Sequence, residues 1–133
     1  MRPRPDAAQL LEAARQALRG EVLAALSDDK RYQALMIANA MAIAARVVER
    51  GDAPERDELE RLARLMNMDA GSPVDVAAVR ERLNELHGRL CDELRAGTIA
   101  PGGARHRALF DHLRRATVER LRESNPKALP KNG

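Results

Sequence analysis

The chain has 133 residues and a net charge of +3, with 44% hydrophobic, 32% charged and 2% aromatic residues. That length supports one domain of ordinary size whose core needs no metal or disulfide staple, and the balance of residues excludes wholesale disorder. With Tyr32, Phe110 and no Trp, most base-stacking nucleic-acid modules are excluded and an all-β core is disfavoured.

Ala, Leu, Arg and Glu are abundant instead, and these are strong helix formers. Asp6 is suited to cap a first helix from Ala7 to Leu26, in which Leu10, Leu11, Ala14, Leu18, Val22 and Leu26 form one apolar stripe. A second helix from Lys30 to Arg50 is stopped by Gly51. Between Ala34 and Val48 it is apolar on nearly every side, which predicts the central, buried helix of a bundle. A third, shorter helix opens at Asp52 and ends near Met68, with Leu59, Leu62, Leu65 and Met66 inward. Ser72, Pro73 and Asp75 give a start signal with serine as the cap and proline at the first helical position. The fourth helix then carries Val76, Val79, Leu83, Leu86, Leu90 and Leu94 at intervals of three and four and ends at Gly97. A fifth runs from Ala104 to Glu123 with Leu109, Phe110, Leu113, Thr117 and Leu121 on one side, and Asn125-Pro126 terminates it. Five helices with short connections predict an all-α antiparallel bundle without a sheet. It is read as a single domain over residues 1–133 with frayed tails at 1–5 and 127–133.

Candidate chemistry is sparse. The single cysteine, Cys91, excludes an internal disulfide. The charged N-terminal residues are not followed by the apolar stretch of a signal peptide, and the longest nearly uncharged run is too short to span a bilayer. A cytoplasmic protein without membrane association is expected. His87 and Cys91 share a helix face, but nothing at a recognisable spacing supplies further metal ligands, so the pair reads as flanking the bundle seam. His106 and His112 lie too far apart around one helix to chelate an ion alone. Glu55, Asp57, Glu58 and Glu60 sit where the helix macrodipole favours acids. None of the common phosphate-binding, hydrolase, metalloprotease or dinucleotide motifs occurs. The reading is of no catalytic residue, no cofactor and no metal site.

Residues 52–94 hold 6 Arg and 11 acids, whereas residues 103–133 hold 8 basic residues and 3 acids. These segments either face one another or bear solvated polar faces, or the second offers a cationic surface to an acidic or phosphate-bearing partner. Arg114, Arg115 and Arg122 are the candidates on that surface. Asn39 lies mid-helix in the most apolar segment, either fixing register through an interhelical hydrogen bond or lining a pocket or interface. Arg31, Tyr32 and Arg46 flank it as possible anchors.

Taken together, Arg4 to Ala13, Arg31-Tyr32-Gln33-Ala34 with Ala38 to Ile43, Arg95-Ala96-Gly97, Leu113 to Val118, and Ser124-Asn125-Pro126-Lys127 resemble a family of uncharacterised bacterial proteins with a domain of unknown function. The match is least clear over Asp52 to Asp69. Members are often encoded beside aminoglycoside-phosphotransferase-like kinases and acyl-CoA dehydrogenases. The resemblance implies a small helical companion in acyl-CoA catabolism and carries over no catalytic residue. The resulting expectation is a non-catalytic accessory protein that partners such a kinase or dehydrogenase, docking through the fourth-helix stripe or the basic fifth helix. The alternatives are a binder of an acyl-CoA or a phosphorylated acyl precursor and, less favoured, a nucleic-acid-binding regulator. Homodimerisation through an exposed part of the second or fourth helix is also compatible with the pattern.

Overall fold

The computed structural model describes residues 3–131. Its elements are α1 (Ala7–Ala17), a π-helical turn (Leu18–Val22), α2 (Asp28–Arg50), α3 (Ala53–Leu65), α4 (Val76–Ala96), α5 (Ala104–Ser124) and a 3-10 turn (Pro126–Ala128). The all-α reading holds: five α-helices are present, with no strand among the described residues. No helix among them is long and apolar enough to cross a membrane. Of the expected frayed tails, residues 1–2 and 132–133 lie outside the described residues, while part of the C-terminal one forms the 3-10 turn. The chain gathers into two compact units, one holding the chain up to Gly51 together with the segment from Arg120 on, the other Asp52–Glu119.

In the first unit, α1 begins at a reciprocal cap. Asp6 Oδ1 accepts from the Gln9 N–H, and the Asp6 N–H donates to Gln9 Oε1, each at 2.9 Å. The expected single helix to Leu26 is instead interrupted at Gly20, whose ψ of −109° leaves the helical region. Glycine tolerates that departure at little steric cost, and the apolar stripe alone does not reveal it. α2 departs further from expectation. Far from being buried on all sides, it buries only Ala34 and Ala38. Tyr32, Leu35, Met36, Ile37, Val47 and Val48 are all exposed.

The second unit contains the larger core. Leu59, Leu62, Ala63 and Met66 of α3 and its C-cap pack with Val79, Leu83, Leu86 and Leu90 of α4, with Leu109 of α5, and with Ile99 from the loop between α4 and α5. The three-and-four spacing on α4 is thus an inward stripe, though its last member, Leu94, is exposed. Gly97 takes the left-handed conformation, with φ of 74°. The Thr98 N–H then returns to the Glu93 carbonyl at 3.1 Å, a C-terminal closure that delivers Ile99 to the core. Glu55 of α3 receives both Nε and Nη2 of Arg80 from α4, at 2.7 and 2.9 Å, a bidentate pairing that fixes direction as well as distance.

Two expectations need correcting here. The cap of α4 is Asp75, which accepts the Ala78 N–H at 2.8 Å, rather than Ser72; Pro73 precedes the helix and offers its carbonyl to Arg56. Asp75→Ala is expected to cost about 1 kcal/mol in urea unfolding, and Ser72→Ala much less. On α5 the buried positions are Leu109, His112 and Ala116, while Phe110 and Leu113 are exposed. At 100° per residue those three lie on one stripe and Phe110 falls to its side, so a histidine and an alanine occupy the face that size alone would assign to the larger apolar residues.

Candidate functional site

Within the first unit an open cleft of about 1250 Å³ is bordered by the start of α1, the middle of α2 and the Ser124–Lys127 segment. Ala38, Ala42 and Ala45 form part of its lining, and their small side chains leave room beside the α2 backbone. Arg4, Arg15, Arg19, Arg46 and Lys127 bring positive charge to it, and Asp6, Glu12 and Glu49 bring acid. Much of that charge is committed internally. Arg15 Nε donates to Glu12 Oε2 at 2.9 Å, which holds the Glu12 carboxyl below its usual range and raises the arginine. Arg46 Nε donates to the Glu123 carbonyl at 2.6 Å, satisfying a backbone oxygen in the last turn of α5 that the helix leaves open. Arg50 Nη1 adds an ion pair to the Glu123 carboxylate at 3.2 Å. Arg4, Arg19 and Lys127 border the cleft without such a partner among the described residues.

The candidate residues fall in different places. Asn39 and Arg46 both line this cleft. Asn39 is exposed, and its amide makes no side-chain hydrogen bond among the described residues, so the register-fixing bond is not formed while the lining position is. Arg31 and Tyr32 stand exposed at the start of α2. Arg114, Arg115 and Arg122 are exposed on α5, with Arg115 paired to Asp111 at 3.1 Å.

On α2, Tyr32, Met36, Asn39, Ile43 and Val47 follow one another at intervals of four and three, and Leu35 lies beside them. This spacing forms a single stripe of the kind that meshes with another helix. The buried Ala34 and Ala38 sit on the other side. The α4 stripe expected to dock is taken up by the core of the second unit apart from Leu94, whereas much of the α2 stripe stays exposed.

One juxtaposition was not anticipated. Glu58 of α3, His87 of α4 and His112 of α5 meet inside the second unit. In the sequence Glu58 sits where the helix dipole favours acids, His87 shares a helix face with Cys91, and His112 lies too far around its helix from His106 to chelate an ion with it. Their separation in sequence gives no motif, and only the buried register of α5 could have suggested His112. Arg61, one turn along α3 from Glu58, has its Nε and Nη2 buried without a hydrogen-bond partner.

The sequence model of one family matches residues 24–128, most of the chain. The protein belongs to the DUF6285 family. DUF6285 is a domain of unknown function, which agrees with the uncharacterised family that the sequence resembles. The match to DUF6285 begins near the end of the first predicted helix, so α1 and the N-terminal border of the cleft lie before it. It takes in the α2 seam, the whole second unit and the residues that close the cleft from the C-terminal side. No curated protein and no solved structure matches this member of DUF6285.

Proposed function

We propose that this protein is a non-catalytic helical accessory protein that docks on a partner enzyme through the exposed seam of α2. The observation that carries the reading is the contrast along that helix: two buried alanines on one side and, on the other, exposed Tyr32, Met36 and Val47 with part-buried Ile43 between them. Isolated exposed apolar residues are ordinary, but a contiguous stripe of them marks an interaction surface. Asn39 within the stripe supplies one polar group, which in helix–helix interfaces selects register. The partner implied by the resemblance is a phosphotransferase-like kinase or an acyl-CoA dehydrogenase in acyl-CoA catabolism, in the cytoplasm. The exposed free thiol of Cys91 is compatible with that compartment.

A tagged pull-down from the native host, followed by reconstitution from the purified proteins at moderate salt, tests the reading. Recovery and reconstitution of a stoichiometric complex with such an enzyme is the expected result. Recovery of the protein alone would overturn it, and a self-associated species in light scattering would reassign the seam to a second copy of the chain.

A second reading, an acyl-CoA or phosphorylated acyl precursor bound in the cleft, is favoured by Arg4, Arg19 and Lys127 beside an alanine-lined wall. Phosphate groups suit such arginines. A CoA ester at 100 times its Kd would add about 2.7 kcal/mol of stability, so a thermal-shift panel of CoA esters should show a clear rise in Tm. A flat response across the panel would remove this reading.

A further inference from the structure

The second unit brings together one carboxylate and two imidazoles from three different helices. His87 Nε2 lies 3.5 Å from Glu58 Oε1, and one donor atom from each of Glu58, His87 and His112 lies within 4.8 Å of both others. The imidazole rings are 6.1 Å apart and tilted by 48°, so they converge without stacking face to face. His112 is buried, at 3% exposure, the Glu58 side chain is 11% exposed, and His87 reaches the surface with 32% of its side chain exposed. The group therefore has a buried floor and one accessible edge.

Placing the Glu58 carboxylate and the His112 imidazole in the interior costs desolvation unless their charge and lone pairs are satisfied. Two imidazoles and one carboxylate are also the donor set that zinc takes when three side chains hold it and a fourth position stays open. With bonds of about 2.1 Å, tetrahedral zinc separates its donor atoms by about 3.4 Å. The Glu58–His87 pair already has that separation, and the widest allowed pair needs to close by no more than about 1.4 Å, within reach of small side-chain rotations. Glu58 and His87 come from residues 52–94, which hold 11 acids against 6 Arg, and His112 from the basic segment 103–133.

We propose that Glu58, His87 and His112 form a zinc-binding site that ties α3, α4 and α5 together and keeps one coordination position open at the His87 edge. This goes beyond the docking role, which rests on a different unit and different residues. It also departs from the expectation of no metal. The three ligands come from separate helices, so no spacing along any one helix announces them.

The test is zinc titration of the purified full chain after chelator treatment, read by calorimetry, bound-metal analysis and thermal shift. One zinc per chain and a rise in Tm are expected. His112→Asn alters a buried position and risks the fold, so His87→Ala, at the exposed edge, is the primary variant, with circular dichroism verifying its helices. Loss of that ligand should weaken zinc binding by more than the ~10- to 100-fold that removing a metal site's outer support already costs. Glu58→Gln should act in the same direction. Cys91→Ser and His106→Asn should leave affinity unchanged. Cobalt in place of zinc should give the visible bands of a tetrahedral site in the parent chain and lose them in His87→Ala. Failure of the parent chain to bind stoichiometric zinc, or equal binding by folded His87→Ala, would overturn the site, and neither result bears on partner docking.

Discussion

Leu62→Ala is expected to destabilise the protein by about 2–5 kcal/mol in urea or guanidinium unfolding. Leu62 is fully buried, at 0% exposure, on the face of α3 that also carries Leu59, Ala63 and Met66. Removing its isobutyl group forfeits burial and leaves a cavity that the helices relax into only in part. The surroundings offer little to fill it, because Leu86 and Val79 of the same core are also fully buried and already committed. A loss of this size is a large fraction of the 5–15 kcal/mol by which whole domains are stable. Leu10→Ala is the matched control. Leu10 is 56% exposed on α1, and the same change of side chain there should stay within about 0.5 kcal/mol. Equal costs at the two positions would mean that Leu10 is covered in solution, which would point to self-association through the first unit.

The contrast between these two leucines also explains which parts of the protein were legible in the sequence. Both sit in helical apolar stripes, and the stripes locate the helices well: α2, α4 and α5 begin or end within a few residues of the expected Arg50, Val76, Gly97 and Ala104. A stripe states what a helix is able to bury. It does not state whether this chain provides the covering surface. For α4 the covering surface exists, in α3, Ile99 and Leu109. For α2 it covers the Ala34 and Ala38 side only, and the expected central helix leaves Met36 and Val48 exposed. Local backbone choices were less legible still, because Gly20 kinks the first helix and Asp75 displaces Ser72 as a cap through single hydrogen bonds and torsions.

The candidate site divides in the same way. Asn39 and Arg46 stood out because a polar or charged group in an apolar helix demands a reason, and both line the cleft. Their neighbours in it, from Arg4 to Gln9 and from Ser124 to Lys127, are joined to them only by the fold. The Glu58, His87 and His112 group could not be seen at all. Each residue has an adequate local explanation, and only the packing of three helices gives them a shared one.

The exposed seam yields the second large effect. Met36→Glu together with Val47→Glu should abolish or severely weaken partner binding while leaving the free protein folded. Met36 and Val47 are 53% and 37% exposed, so both carboxylates remain hydrated in the uncomplexed chain, and glutamate is a better helix former than valine. Docking would instead bury two charges where apolar contact is needed. Full burial of a Met or Val side chain contributes about 1.5–3 kcal/mol, and every 1.4 kcal/mol is about tenfold in affinity. Because both side chains are already partly buried in the free chain, losing what remains of these two contacts predicts roughly 10- to 100-fold weaker binding, and burying the two carboxylates adds to that loss. Charge reversal at Arg114, Arg115 and Arg122 provides the comparison. Exposed charges outside the docking seam act chiefly on association rate and salt dependence, so that triple variant should change affinity far less if α2 is the docking face. A strong effect of the arginines with none from Met36 and Val47 would move the interface to α5. An equal loss from both sets, with helicity intact, would require a partner large enough to engage α2 and α5 together.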